Sequence, residues 1–326
     1  MGRPDIDSLK DKILSGDRRS LARGITLIES DRDDHQERAL TLVEALLPYT
    51  GHAMRLGISG TPGAGKSTFI EAFGAHVIAD GQKIAVLAID PSSRRSGGSI
   101  LGDKTRMQRL STVEDAFIRP SPAGGTLGGI ARKSREAAIL CEAAGFDVIV
   151  LETVGVGQSE IDVADMVDCF VLLLAPGAGD ELQGIKRGIV ETADLILVNK
   201  ADGDLLPAAN LVRTDYQAAL HLLRPATTAW TPEVLTCSAL EGRGIDRVWQ
   251  SILRHHQALK EAGELERKRE QQLRSWFWSE IRACLINALD QDETSAALMK
   301  DLEQKIASGR LLPPKAARSL IERFRR

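Results

Sequence analysis

The sequence predicts an α/β protein built on a mostly parallel sheet and flanked by helices at both ends. Between about residues 53 and 260, short apolar runs alternate with helix-like segments, which is typical of a sheet covered on both faces. Outside this region, apolar residues recur at helical spacing instead. The predicted strands are 55–59, 84–89, 146–151, 169–174, 195–198 and 233–235.

Three domains follow from these patterns. Residues 1–52 form a helical segment, in which Leu21, Ile25 and Ile28 lie on one face. Residues 53–260 form the α/β domain. Residues 261–326 begin as a charged helix that becomes amphipathic around Trp276 and Trp278, and this arm has too little local core to stand alone. Its apolar face therefore needs a partner, although the tryptophans could instead pack onto the central domain.

The loop after the first predicted strand has the full phosphate-loop pattern G-x-x-x-x-G-K-[ST]. Its glycines allow backbone N–H groups to close around phosphate oxygens, and Lys66 supplies a fixed positive charge. The helix that follows would point its N-terminus at the same phosphates. The predicted phosphate contacts are Gly60, Thr61, Pro62, Gly63, Ala64, Gly65, Lys66, Ser67 and Thr68.

A guanine-recognition pattern N-K-x-D follows the strand 195–198. Asp202 could accept hydrogen bonds from the ring N–H and the exocyclic amine of guanine, whereas adenine offers neither there. An unpaired buried polar group costs about 1–3 kcal/mol, so one carboxylate can disfavour ATP strongly. Asn199 would reach the far edge of the base and Lys200 would cover its face.

A second loop supports guanine over adenine. Ser238, Ala239 and Leu240 follow the last predicted strand and resemble the S-A-L/K loop, whose backbone N–H recognises the guanine carbonyl. This loop is weak evidence alone, but it comes in the expected chain order after the phosphate loop and N-K-A-D. GTP and GDP are the predicted ligands.

Magnesium and hydrolysis residues are predicted between these motifs. Ser67 and Glu152 would offer hard oxygen ligands to Mg²⁺, and the Gly155 N–H would sense the γ-phosphate. Asp90 and Asp103 are further candidates for the metal and for catalysis, with Lys66, Glu152 and Gly155. An ordinary strand-end or helix-cap role is the alternative for both aspartates.

A water-orienting glutamine is absent from its usual place, because Val156 follows Gly155. The intrinsic hydrolysis rate should therefore be low, and a partner would be needed to raise it.

The segment 175–187 is a hypothetical nucleotide-sensing switch. It has glycine hinges and adjacent opposite charges, and Asp180, Gln183 and Lys186 would form contacts that depend on the nucleotide. Arg106 is grouped with this switch. A simple helix cap at Asp180 and a solvated Lys186 are the alternative.

Together, these motifs resemble the methylmalonyl-CoA mutase-associated GTPases, the MeaB or ArgK family. The resemblance rests on residues 60–68, 90–107, 152–160 and 199–202, and it extends to 16–23 and the C-terminal arm. It implies a GTP-hydrolysing chaperone of an adenosylcobalamin-dependent mutase that gates cofactor loading and guards the loaded enzyme. It also implies that adenosylcobalamin is met only through the partner and that the arm joins two copies into a homodimer.

Composition limits the alternatives. The 326 residues carry a net charge of −3, which gives no general attraction to nucleic acid or anionic membrane. No apolar run reaches membrane-spanning length, the start does not resemble a targeting peptide, and four scattered cysteines suit a reducing cytoplasm. Relatives in the same wider class that load nickel usually carry histidine-rich tracts or Cys-x-x-Cys pairs as metal relays, and this sequence has neither. Chaperoning another acyl-CoA mutase or a metallocentre, a transport-linked P-loop kinase and a non-hydrolysing scaffold remain as alternatives.

Overall fold

A computed structural model of the chain describes residues 6–89, 107–121, 127–153, 159–177, 187–221 and 227–324. Its centre is a seven-stranded sheet in the order β3-β2-β4-β1-β5-β6-β7, in which every neighbouring pair is parallel. The strands are β1 (Met54–Gly60), β2 (Ile84–Ile89), β3 (Ala116–Ser121), β4 (Val148–Thr153), β5 (Cys169–Leu174), β6 (Leu195–Val198) and β7 (Glu233–Thr236).

The predicted α/β class is confirmed, and the parallel sheet explains where a ligand would bind. Because all strands run the same way, the loops after β1, β4, β5, β6 and β7 leave from one edge of the sheet. The chain proceeds from β1 toward β2 on one side and later adds β5, β6 and β7 on the other. Such a switch in strand order opens a crevice outside the carboxyl ends of the strands.

Helices cover the sheet and extend it at both ends. They are α1 (Ile6–Leu14), α2 (Arg18–Glu29), α3 (Asp33–Leu46), α4 (Lys66–Ala79), α5 (Gln108–Ser111), α6 (Leu127–Ala143), α7 (Ser159–Ala164), α8 (Arg187–Thr192), α9 (Leu206–His221), α10 (Ile245–Glu261), α11 (Glu264–Gln291), α12 (Glu293–Ala307) and α13 (Pro313–Phe324). Short 3-10 turns occupy Leu47–Tyr49 and Gly203–Leu205.

The main core lies between the sheet and helices α4 and α10. Phe69 and Phe73 stack with ring centroids 5.6 Å apart, and Trp249 meets Phe73 edge-on at 5.8 Å. The indole N–H of Trp249 donates to Asp80 Oδ2 at 2.8 Å. This aromatic cluster fixes α4, and therefore fixes the helix whose first turn follows the phosphate loop.

Helices α1, α2 and α3 precede the sheet in the chain and pack on one another. Asp17 caps α2 by accepting a 2.7 Å hydrogen bond from the Ser20 N–H. The fully buried side chains of Ile13, Ile25 and Leu42 meet in this layer, which packs against α6. The segment is therefore attached to the sheet through the helix that covers β2 and β4.

The chain divides into two compact units, Met1–Arg269 and Glu270–Arg326. The second unit contains most of α11 together with α12 and α13, which pack on each other. Asp292 caps α12 by accepting from the Ser295 N–H at 2.7 Å. Several large apolar side chains of α11 are exposed, namely Leu273, Phe277, Trp278, Leu285 and Ile286.

Strand β3 is absent from the sequence prediction. It pairs only with β2 and forms one edge of the sheet, and its sequence includes Arg119 and Pro120. Edge strands tolerate such residues because one side of the strand has no ladder to maintain, so the strand lacks the apolar run that identified the others.

Among the described helices, none is both long and apolar enough to cross a membrane.

Candidate nucleotide-binding site

The phosphate-loop residues form a tight turn between β1 and α4. A Cβ on Gly60 would lie 2.3 Å from the Leu173 carbonyl oxygen of neighbouring β5, so only glycine fits there. Gly65 has a left-handed backbone, φ +84°, and a Cβ there would lie 2.8 Å from Asn199 Nδ2. Close packing against the backbone of β5 thus requires glycine at position 60, and the left-handed backbone beside Asn199 favours glycine at position 65.

The N-terminus of α4 is open toward this loop. Gly65 occupies the N-cap position, and no side chain caps the first turn. The first N–H groups of a helix have no partner within the helix, and together with the helix dipole they favour an anion. The local geometry is therefore suited to phosphate.

Lys66 lies at the centre of the loop. Its ammonium donates to the carbonyl oxygens of Gly60 at 2.7 Å and Thr61 at 3.3 Å. Partial burial lowers the pKa of Lys66, while the carboxylates of Glu152 and Glu160 act in the opposite direction. A positive charge held among carbonyls and carboxylates is available to compensate incoming phosphate.

Ser67 and Glu152 bring together the oxygen donors predicted for Mg²⁺. Ser67 Oγ lies 3.5 Å from Glu152 Oε1, and the Glu152 side chain is buried at the end of β4. A hydroxyl and a carboxylate are hard oxygen ligands of the kind that Mg²⁺ prefers. The two residues fit the metal that the motif implies.

Asn199 connects the predicted base-binding loop to the phosphate loop. It is 2% exposed, and its Nδ2 donates to the Ala64 carbonyl at 2.9 Å. Its Oδ1 accepts from the Ala239 N–H at 3.0 Å. The described contacts of Asn199 therefore join three loops, a role that the sequence motif alone did not reveal.

Asp202 and Ser238 are direct neighbours, because the Ser238 hydroxyl donates to Asp202 Oδ2. The N–H of Ala201 also donates to the Cys237 carbonyl at 3.0 Å, which ties the two predicted guanine loops together. Leu240 is 82% exposed beside them. The structure thus brings together those of the predicted phosphate, metal and base residues that lie within the described ranges.

The sequence profile of the protein family described as "Methylmalonyl Co-A mutase-associated GTPase MeaB" matches residues 21–294. The chain belongs to this family. The family is one of GTPases, and GTP hydrolysis is its activity.

Relatives extend the family match over nearly the whole chain. A Caulobacter vibrioides protein named as a GTPase is 55% identical over 98% of both chains. The Escherichia coli GTPase ArgK is 48% identical over 95% of this chain and 94% of its own. The mouse "Methylmalonic aciduria type A homolog, mitochondrial" is 45% identical over 98% of this chain and 80% of its own.

A solved structure shares the complete fold. The crystal structure of a protein named "LAO/AO transport system kinase" has a TM-score of 0.81 and 40% sequence identity, and the match covers 100% of this chain and 99% of that one. This likeness spans the flanking helices as well as the sheet.

Several predicted residues of the family site lie outside the described residues. They are Asp90, Asp103, Arg106, Gly155, Asp180, Gln183 and Lys186. The metal, catalytic and switch roles assigned to them stay predictions.

Two described contacts near the site were not anticipated. Cys237 Sγ lies 3.7 Å from Asn199 Oδ1, and Thr153 Oγ1 donates to Ser59 Oγ at 2.8 Å. The second bond joins the end of β4 to the residue before the phosphate loop. Neither Cys237 nor Thr153 carries a signal for these bonds, because both bonds depend on strands that are adjacent in space and distant in sequence.

Proposed function

We propose that the chain is a GTP-hydrolysing chaperone of adenosylcobalamin-dependent methylmalonyl-CoA mutase. In this role it gates loading of the cofactor and protects the loaded mutase from inactivation. The observation that carries the proposal is the family match, whose description names association with this mutase. The relative named for methylmalonic aciduria supports the same client.

Guanine nucleotide would bind along the carboxyl edge of the sheet. The loop 60–68 would surround the phosphates, with Lys66 moving from its two carbonyl partners to the β- and γ-phosphates. Asp202 would select guanine, with Ser238 and Ala239 completing the base loop. Lys200 would cover one face of the base and Leu240 would lie at its rim.

Ser67 and Glu152 would hold Mg²⁺, with Asp90 and Asp103 as further candidates. These oxygen ligands would hold the ion beside the phosphates, where its charge would offset the negative charge that develops during phosphoryl transfer. Lys66 would add a second positive charge beside the same phosphates. The chain's own residues thereby position the phosphates and neutralise them, which is most of what phosphoryl transfer requires.

Turnover without the partner should be slow. Val156 stands where many GTPases carry the glutamine that orients water, so no glutamine directly follows Gly155, and Gln158 lies further along the chain. We propose that the mutase supplies or orders the missing element, and that Arg106, Asp180, Gln183 and Lys186 report the nucleotide state to it.

Partner binding that depends on the nucleotide tests the chaperone role. Full-length chain and purified mutase would be combined without nucleotide, with GDP and with a non-hydrolysable GTP analogue, and complex formation and cofactor transfer measured by calorimetry and cobalamin absorbance. We expect the affinity of the chain for the mutase, or the transfer of cofactor, to differ between GDP and the GTP analogue. Equal affinity and equal transfer in all three states would contradict it.

A transport-linked kinase is the second candidate, favoured by the name "LAO/AO transport system kinase" of the solved protein that shares the fold. Such an enzyme would move the γ-phosphate of the nucleotide onto a protein acceptor. Labelled GTP and ATP incubated with the chain and its candidate acceptors distinguish the two functions, because a chaperone GTPase releases free phosphate. The client could instead be another acyl-CoA mutase or a metallocentre. In that case this other client, and not methylmalonyl-CoA mutase, would stimulate GTP hydrolysis.

The oligomeric state and the cellular compartment of the protein are also part of the proposal. We propose a cytoplasmic homodimer joined through α11, whose exposed apolar residues include Phe277 and Trp278. All four cysteines are free, which suits a reducing compartment. Neither nucleic acid nor membrane is expected as a partner at a net charge of −3.

A further inference from the structure

A second cluster of reactive side chains lies at the opposite edge of the sheet from the nucleotide loops. Cys169 is the first residue of β5, Asp194 directly precedes β6, and His255 lies on α10. One ligand atom from each residue lies within 4.8 Å of the other two. Cys169 and His255 are each 1% exposed, so water reaches the cluster poorly.

His255 is the unusual member of this cluster. Within the described residues, its buried Nδ1 has no hydrogen-bond partner, and its equally buried Nε2 has only a long contact with Asp194. Its Nε2 lies 3.5 Å from Asp194 Oδ1, and the Trp230 ring meets it edge-on at 5.1 Å. Buried polar nitrogens normally have hydrogen-bond partners, so a ligand bound by this imidazole would satisfy a nitrogen that lacks one.

We propose that Cys169, Asp194 and His255 form a binding site for a thiophilic divalent cation of the Zn²⁺ type. Thiolate, imidazole and carboxylate are the three protein ligands that Zn²⁺ takes. In a tetrahedral site with bonds of about 2.0–2.3 Å, ligand atoms lie roughly 3.3–3.8 Å apart. Ligand atoms that now lie up to 4.8 Å apart would therefore move closer when the cation binds. A water molecule would occupy the fourth position.

Cation binding would change the protonation and charge of this cluster. Burial, together with the neighbouring Asp194, raises the pKa of the Cys169 thiol well above its usual value, so the thiol is protonated without a metal. Cation binding would release that proton and form the metal–sulfur bond. A divalent ion would balance the charges of one thiolate and one carboxylate, and Lys268 beside Asp194 would leave one positive charge in addition.

Lys268 is a positively charged side chain beside the proposed site. Its ammonium lies 3.5 Å from Asp194 Oδ2, and it makes a shorter bond of 2.7 Å to the Asp168 carbonyl. Asp194 Oδ2 also accepts from the Phe170 N–H at 2.8 Å. These contacts use Oδ2, whereas Oδ1 faces His255, so the cation and Lys268 would use different oxygens of one carboxylate.

Anaerobic titration of the full-length, nucleotide-free protein with Co²⁺ tests the site. Tetrahedral Co²⁺ bound to thiolate absorbs in the near ultraviolet by charge transfer, which separates this site from the oxygen-only ligands near Ser67 and Glu152. Cys169→Ala and Cys169→Ser remove the thiolate. Cys141→Ala is the matched control, because Cys141 is also fully buried but lies on α6 outside the cluster.

The expected result is one Co²⁺ per chain with a thiolate band that Zn²⁺ displaces. The band should vanish in both Cys169 variants, persist in Cys141→Ala and weaken in His255→Gln. Zn²⁺ should also raise the melting temperature of the wild type and not that of Cys169→Ser. Absence of a thiolate band in the wild type, or its persistence in folded Cys169→Ser, would overturn the proposal.

Discussion

Lys200 holds a left-handed backbone conformation, φ 58°, and no other non-glycine residue among those described has a positive φ. Such a conformation costs about 1–2 kcal/mol for a residue with a side chain. The turn separates Asn199, which faces the phosphate loop, from Asp202, which faces Ser238. The strain therefore accompanies the turn that lies between the contacts of the two proposed guanine-binding loops.

Asp202→Asn tests the base assignment. We expect GTP affinity to fall by about 10- to 100-fold, since one unmet polar contact costs about 1–3 kcal/mol. Xanthosine triphosphate should bind better than to the wild type, because xanthine carries a carbonyl in place of the amine and an amide can donate to it. Calorimetry measures both, and Asp204→Asn, an exposed acid two residues away, is the control. Unchanged GTP affinity in Asp202→Asn would remove Asp202 from base recognition.

Gly65→Ala tests the close approach of the phosphate loop to Asn199. Its control is Gly81→Ala, because Gly81 has a similar φ of +81° and no neighbour that a Cβ would meet. Both variants should lose about 1–2 kcal/mol of unfolding free energy from backbone strain. Only Gly65→Ala should also lose nucleotide binding, measured by fluorescence titration. Equal binding by the two variants would show that the approach has no effect on the site.

The residue types of the site were predictable from sequence, but several of their contacts were not. Spacing identified Lys66, Ser67 and Asp202 because the chemistry demands those side chains in a fixed local order. The bonds from Asn199 to Ala64 and Ala239 join positions 135 and 40 residues apart in the chain. Such contacts depend on strand order, which local spacing does not encode.

At the scale of elements, the amino ends of β1 and β5 are joined to the start of α11. Arg269 donates to both carboxylate oxygens of Asp168 at 2.9 and 2.7 Å, and to the carbonyls of Gly51 and Ala53 at 2.8 Å. Asp168 also accepts from the Arg55 N–H at 2.9 Å. The first turns of α11 therefore belong to the α/β unit and not to the second unit.

This network predicts a pH-dependent stability. Burial alone would raise the pKa of Asp168, but the hydrogen bonds and charge of Arg269, with the Arg55 N–H, lower it overall. The Asp168 contribution is therefore complete above its unfolded pKa of about 3.9 and is lost as the pH falls through the folded pKa. Asp168→Asn should cost about 3–5 kcal/mol at pH 7, where a buried ion pair is broken.

Urea unfolding from pH 7 to pH 3 measures this contribution. The difference between wild type and Asp168→Asn should be constant at neutral pH and shrink below about pH 4. Asp215→Asn is the control, because Asp215 is exposed on α9. A difference that stays constant down to pH 3 would show that the ion pair is not the source of the stability.

Most elements could be predicted from sequence, with one clear exception. The buried strands are recognisable as continuous apolar runs, since both faces of a parallel sheet are covered. β3 is not, because its edge position permits Arg119 and Pro120. Likewise, no pattern indicated that Lys268 would donate to the carbonyl of Asp168, 100 positions earlier, or Arg269 to its carboxylate.

At the scale of the whole molecule, the apolar residues of α11 predict self-association. Phe277 and Trp278 are 62% and 57% exposed, and their rings contact each other at 6.0 Å. Exposed aromatic pairs of this kind are typical of interface anchors. Phe277→Glu should convert the proposed dimer to monomer at micromolar concentration, as measured by light scattering.

Gln271→Glu provides the control for this change, because it adds the same charge at an exposed polar position of α11. It should leave the molar mass unaltered. A wild-type molar mass of one chain, or a dimer that survives Phe277→Glu, would exclude this surface as the interface.

The proposed function depends on coupling between guanine nucleotide turnover and methylmalonyl-CoA mutase. The most direct measurement is steady-state phosphate release from GTP, with ATP as the control nucleotide, by the full-length chain alone and with purified mutase. Lys66→Ala, prepared in the same way, controls for contaminating hydrolysis. We predict slow turnover of GTP only, accelerated by the mutase and absent in Lys66→Ala. GTP turnover that the mutase does not change would contradict the coupling.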